Sequence, residues 1–174
     1  MKYYSVNNSS NHNEDSDNVI KRVSILGSTG SIGKNTIDLI KAGGEKFKVE
    51  ALTANKNVDL LAEQALKLNP SLVVIGDVSL YTKLKELLIN TNIEIAAGDT
   101  ALVDAASRPA DWVMAAIVGA AGLLPTVEAI RQGSTVALAN KEALVCGGEY
   151  VIEEARKNGT TLLPVDSEHN AIFQ

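Results

Sequence analysis

The chain has 174 residues, 45% hydrophobic and 21% charged, which is enough for one globular core and crowded for two. A net charge of -5 excludes the broad basic face that nucleic acid requires and leaves at most a local basic pocket. The single cysteine, Cys146, excludes an internal disulfide; it reads as a small buried thiol, and the cytoplasm is the default location.

Residues 1–21, MKYYSVNNSSNHNEDSDNVIK, contain no apolar run able to bury surface and are expected to be a disordered polar leader. A secretory signal needs a continuous apolar region and a transit peptide is poor in acids, whereas this stretch carries Glu14, Asp15 and Asp17. The sequons at Asn7 and Asn8 are what an Asn/Ser-rich tract produces by chance, and His12 reads as solvated. One domain is expected over 22–174.

From Arg22 onward short β-branched runs alternate with amphipathic stretches. The pattern predicts strands at 22–26, 48–54, 72–76, 93–98, 112–118, 135–139 and 160–165. Helices are expected at 31–42, 58–68, 79–89, 100–106, 124–132 and 142–158. In the second helix Val58, Leu61, Ala62, Ala65 and Leu66 share one face, with Asp59, Glu63 and Lys67 opposite. Most strands are continuously apolar, as buried parallel strands are. Repeated βα alternation predicts an α/β, Rossmann-like, doubly wound and mostly parallel sheet with helices on both faces.

In such sheets ligands bind beyond the carboxyl ends of the strands. The first loop there is GSTGSIG, with Gly27, Gly30 and Gly33 at a three-residue spacing where the usual fingerprint is G-x-G-x-x-G. Small residues admit a pyrophosphate, and the helix start at Ser31 to Gly33 offers free N–H groups; a tight structural turn is the alternative. The second strand ends in LTANKN. An acid at its tip would bond the ribose 2′-hydroxyl of NAD, but Glu50 lies four residues too early. Asn55, Lys56 and Asn57 instead offer amides and a cation, which suits a 2′-phosphate and so NADP(H), unless Lys56 is only an exposed loop lysine.

Three later loops complete this rim: AIVGAAGLLPT, ANKE and PVDSE. Gly119 and Gly122 serve either a close approach to ligand or helix packing, with Thr126 available nearby. Lys141 would project a compact positive charge from a strand end. Asp166 and Glu168 are spaced i, i+2, so on an extended segment both carboxylates face one side and suit a shared hard cation, Mg²⁺ or Mn²⁺. The same spacing also arises by accident on exposed strands. Ser167 points the other way if the segment is extended, His169 adjoins the cluster, and Phe173 reads as core.

SILGSTGSIGKNTIDLI, ALTANKNV, AAIVGAAGLLPTVEAI, ALANKEALV and LLPVDSEHNAIFQ, in this order, resemble the 1-deoxy-D-xylulose 5-phosphate reductoisomerase family over residues 22–174. The resemblance implies NADPH and Mg²⁺, Mn²⁺ or Co²⁺ as cofactors, a phosphosugar substrate, no nucleic-acid or membrane partner, and a full-length homodimer. It implies rearrangement and reduction of 1-deoxy-D-xylulose 5-phosphate to 2-C-methyl-D-erythritol 4-phosphate, in non-mevalonate isoprenoid synthesis. By motif match, Thr29, Gly30, Ser31 and Ile32 fall on the cofactor phosphate loop, and Ala54, Asn55, Lys56 and Asn57 on the 2′-phosphate region. Asn140 and Glu142 match further NADPH contacts. Lys141 matches a substrate-binding, catalytic lysine, Asp166 and Glu168 match metal ligands, and Ser167 with Glu168 matches substrate contacts, Glu168 also being catalytic. On this resemblance the chain is expected to be the NADPH-binding portion, inactive alone, lacking a third metal-binding acid, the substrate-phosphate site and a lid. Two rivals differ: a short-chain dehydrogenase would need Tyr-x-x-x-Lys where Tyr150 is followed by Glu154, and a non-catalytic NADPH-responsive module would need no substrate domain.

Overall fold

A computed structural model describes residues 19–165, without the side chains of residues 141–144 and 146. Among the described residues the strands are β1 (Lys21–Leu26), β2 (Phe47–Ala54), β3 (Leu72–Ile75), β4 (Glu94–Ala97), β5 (Trp112–Ala115), β6 (Thr135–Leu138) and β7 (Thr161–Pro164). They alternate with α1 (Ser31–Gly43), α2 (Val58–Leu68), α3 (Tyr81–Leu87), α4 (Asp99–Ser107), α5 (Leu123–Arg131) and α6 (Lys141–Asn158). All pairings are parallel, in the order β4-β3-β2-β1-β5-β6-β7. The chain builds leftward from β1 to β4 and then crosses back to build rightward from β5. That reversal puts a crevice between the ends of β1 and β5.

Strand alternation sorts the core onto two faces. Val23 and Ile25 of β1 pack with Ile37 and Ile40 of α1 and Leu61 and Ala65 of α2. Leu26 faces the other way, into a cluster with Val127 and Ile130 of α5 and Val151 and Ala155 of α6. Ala101, Leu102 and Ala105 of α4 cover Ala51, Leu72 and Val74. Helices therefore cover both faces, as the uninterrupted apolar strands require. Among the described residues no helix is long and apolar enough to cross a membrane.

The helix expected at 79–89 is a 3-10 turn, Val78–Leu80, running into the shorter α3; the Asp77 carboxylate caps the turn by accepting from the Ser79 N–H at 3.0 Å. The strand expected at 112–118 ends at Ala115, because β1 supplies no partner beyond Leu26; after the Ala116 N–H bonds to the Leu26 carbonyl, the chain turns outward through Gly119 at φ +73. In α2, Val58, Leu61, Ala62 and Ala65 are buried as expected, but Leu66 is exposed and Gln64 is buried. Gln64 has found polar partners that offset its burial.

Candidate functional site

The β1–α1 loop is shaped by its glycines. Gly27 adopts φ +89, and a β-carbon there would lie 2.6 Å from the Ala116 carbonyl oxygen, just past the end of β5. The loop thus runs tight against the neighbouring strand's exit, which only glycine permits. Gly30 precedes α1 in an extended conformation, with no side-chain cap on the helix. The first helical bond runs from the Lys34 N–H to the Gly30 carbonyl at 2.9 Å. The N–H groups of Ser31, Ile32 and Gly33 therefore have no acceptor within α1, at the positive end of its dipole.

A cleft of about 250 Å³ opens here, lined by Gly27, Thr29 and Gly30 from the β1 loop and Thr53, Ala54 and Asn55 from the end of β2. Asp99 and Leu102 of α4 and Ala116, Ile117, Val118 and Ala121 after β5 complete the wall. A larger groove between α4, α5 and α6, with Leu124, Arg131 and Tyr150 in its wall, lies away from this crevice.

The end of β2 is organised by backbone bonds to β3. The Gly76 N–H donates to the Ala54 carbonyl at 2.7 Å and the Asp77 N–H to the Asn55 carbonyl at 2.9 Å. Asn55, Lys56 and Asn57 are exposed, while Ala54 is buried. Asn57 caps α2, its side-chain oxygen accepting from the Leu60 N–H at 3.3 Å. The hydroxyl and N–H of Ser79 hold the Asp77 carboxyl below the usual carboxylate range, and the Lys56 charge pushes weakly the same way. Lys56 thus stands in the β2 loop close enough to act on Asp77, whereas Glu50 lies mid-strand, four residues before Ala54, where it accepts from the Ser71 hydroxyl and faces Arg108 at 3.6 Å.

Asn140, two residues after β6, has only 1% of its surface exposed, and its Nδ2 donates to the Gly119 carbonyl at 3.0 Å. It ties β6 to the loop that carries Ile117, Val118 and Ala121 into the cleft. Gly122 has no space for a β-carbon because Asn140 and the Ile117 carbonyl occupy it, so packing accounts for that glycine. Thr126, expected to be available to ligand, is buried within α5 because the helix turns it toward the sheet.

The structure brings Thr29, Gly30, Ala54 and Asn55 together in one cleft, with Ser31 and Ile32 at the adjoining helix start. Lys141, expected at a strand end, is instead the first residue of α6, with Glu142 next to it, separated from the end of β6 by Ala139 and Asn140; the side chains of both are outside the described residues. Asp166, Ser167 and Glu168, with His169 and Phe173, lie outside the described residues, immediately after Val165. Among the described residues no group of three or more His, Cys, Asp or Glu could hold a metal ion. Sequence reasoning missed Ser28, Thr53 and Gln64, which hold the glycine loop, and Asp99, which lines the cleft. Asp99 directly follows Gly98, at a strand exit, and that placement was its only signal.

A parallel sheet reversing at β1, with a glycine turn and an open helix start at the reversal, defines a Rossmann-like α/β domain. Residues 23–148 match the family profile of 1-deoxy-D-xylulose 5-phosphate reductoisomerase. The chain belongs to that family. A relative of that name from Rhodospirillum centenum is 57% identical over 89% of this chain and 39% of its own length. The solved enzyme of the same name from Zymomonas mobilis, in complex with NADPH, is 57% identical, with TM-score 0.85 over 88% of this chain and 41% of that one. A DOX-P reductoisomerase solved with NADPH, fosmidomycin and magnesium is 41% identical, with TM-score 0.82 over 88% of this chain and 38% of that one. The chain thus spans about two-fifths of the length of such relatives.

Proposed function

We propose that residues 22–174 are the NADPH-binding portion of a 1-deoxy-D-xylulose 5-phosphate reductoisomerase, preceded by a polar leader over 1–21. The observation that carries this reading is the cleft at the sheet's reversal, lined by Thr29 and Gly30 just before an uncapped helix start and by Ala54 and Asn55 at the tip of β2. The N–H groups of Ser31 and Ile32, with Thr29 and Gly30, suit a pyrophosphate. Asn55, Lys56 and Asn57, with Ala54 beneath them, suit an adenosine 2′-phosphate. When bound, NADPH supplies the hydride for reduction. Asn140 supports the wall of the cleft through Gly119, and Glu142, just after it, is proposed as a further cofactor contact.

Lys141 is proposed to bind substrate and stabilise negative charge on it, with Ser167 and Glu168 as further substrate contacts. Asp166 and Glu168 carry oxygen donors at a spacing that fits one hard cation, Mg²⁺, Mn²⁺ or Co²⁺. For the full-length enzyme the resemblance supports a cytoplasmic homodimer acting on 1-deoxy-D-xylulose 5-phosphate in isoprenoid synthesis. The cofactor assignment is tested by calorimetric titration of this chain with NADPH and with NADH. NADPH binds more tightly on this reading; equal affinities would overturn the 2′-phosphate assignment.

A further inference from the structure

Gln64 sits in the middle of α2, only 5% exposed, and pairs with one residue of the glycine loop by two hydrogen bonds. Its Nε2 donates to the Ser28 carbonyl at 3.0 Å, and its Oε1 accepts from the Ser28 hydroxyl at 2.7 Å. A neutral side-chain amide has both the donor and the acceptor this pairing needs, and the carbonyl fixes which way round the amide lies. Ser28 is fully buried and is held from the sheet side as well: its N–H donates to the Thr53 carbonyl at 2.8 Å, while the Gly27 N–H donates to Thr53 Oγ1 at 2.9 Å. Gly33 closes on the same two residues from α1. The loop is thus anchored immediately before Thr29 and Gly30, which line the cleft.

We propose that Gln64 is a positioning residue that sets the glycine loop at the height a cofactor pyrophosphate requires. The inference rests on the NADPH reading above. The same helix begins at its Asn57 cap beside the loop assigned to the 2′-phosphate, and Gln64 lies about two turns further along. One rigid element therefore fixes both places where a single dinucleotide must present its negative charge. This also explains why α2 turns Gln64 inward and leaves Leu66 in solvent.

The test compares two ligands on wild type, Gln64→Met, Gln64→Glu and Ser28→Ala by calorimetry. NADPH spans both anion sites, whereas adenosine 2′-monophosphate presents the 2′-phosphate without a pyrophosphate. NADPH affinity falls roughly tenfold in Gln64→Met, the scale of one or two neutral hydrogen bonds. It falls further in Gln64→Glu, whose carboxylate meets the Ser28 carbonyl with no donor. Ser28→Ala keeps the bond from Gln64 to the carbonyl and loses about threefold. In all three variants adenosine 2′-monophosphate binds within about twofold of wild type, which also reports that the fold is intact. Equal losses for both ligands, or unchanged NADPH affinity, would overturn the positioning role. Wild type binding neither ligand would overturn the NADPH reading itself, and this inference with it.

Discussion

Gly33 rests directly on the backbone of Ser28, so that a β-carbon at position 33 would lie 2.6 Å from the Ser28 α-carbon. Because the obstacle is backbone, no rotamer change can relieve it. Gly33→Ala is expected to push α1 away from the β1 loop and to cost about 1–3 kcal/mol of stability, the scale of overpacking. Urea unfolding measures that loss, and NADPH affinity should drop with it. Gly30→Ala faces only ordinary contact with the Gly27 carbonyl oxygen, 3.5 Å away, and should be far milder.

Just beyond the end of β2, exposed Lys56 is the cation of the loop proposed to take the 2′-phosphate. Lys56→Ala should weaken NADPH binding by about 1–3 kcal/mol, the range for hydrogen bonds to charged groups, and leave NADH binding unchanged. Calorimetry with both cofactors separates this from a general loss of affinity.

The Ser24 hydroxyl in β1 is buried and has no hydrogen-bond partner among the described residues. A donor held away from water without a partner is destabilising. Ser24→Ala should raise stability by up to about 1 kcal/mol, seen as a higher urea midpoint with an unchanged slope. A lower midpoint would mean that the hydroxyl is satisfied.

Between α5 and α6, Arg131 Nε donates to Glu154 at 3.0 Å and one terminal nitrogen donates to the Tyr150 hydroxyl at 2.9 Å. The Arg131 hydrogen bond holds the Glu154 carboxyl below its ordinary value of 4.5, with the Lys157 charge adding to it against the opposing effect of burial. A carboxylate with a depressed folded-state pKa contributes stability that is present above its unfolded value and is lost as pH falls through the folded value. Stability should therefore decline below about pH 4.5, and Glu154→Gln should flatten that decline. Urea midpoints at neutral and acid pH, for both proteins, provide the comparison.

The sheet was legible because parallel strands buried on both faces leave continuous apolar runs, such as LVVI in β3. The glycine loop and the β2 tip were legible because backbone geometry and charge restrict which residues can stand there. Gln64 was not, since apolar periodicity predicts Leu66 inward and carries no sign that a loop carbonyl awaits an amide partner 36 residues away. The end of β5 was overread for a similar reason: AIV continues the apolar run, but strand length is set by the partner, and β1 stops at Leu26. Asn140 shows a different limit. Its position after β6 was readable, while its hydrogen bond to the Gly119 carbonyl depends on the β5–α5–β6 crossover, whose register no local pattern encodes.

One dinucleotide is expected to lie along the crevice from the glycine loop to the β2 tip. Amide chemical shifts of the isotope-labelled chain, followed during titration with NADPH, test it most directly. The largest shifts should fall at Thr29, Gly30, Ser31 and Ile32 and at Asn55, Lys56 and Asn57, with NADH moving the first group and sparing the second. Saturable NADPH binding that leaves the Thr29 to Ile32 amides unmoved would contradict it.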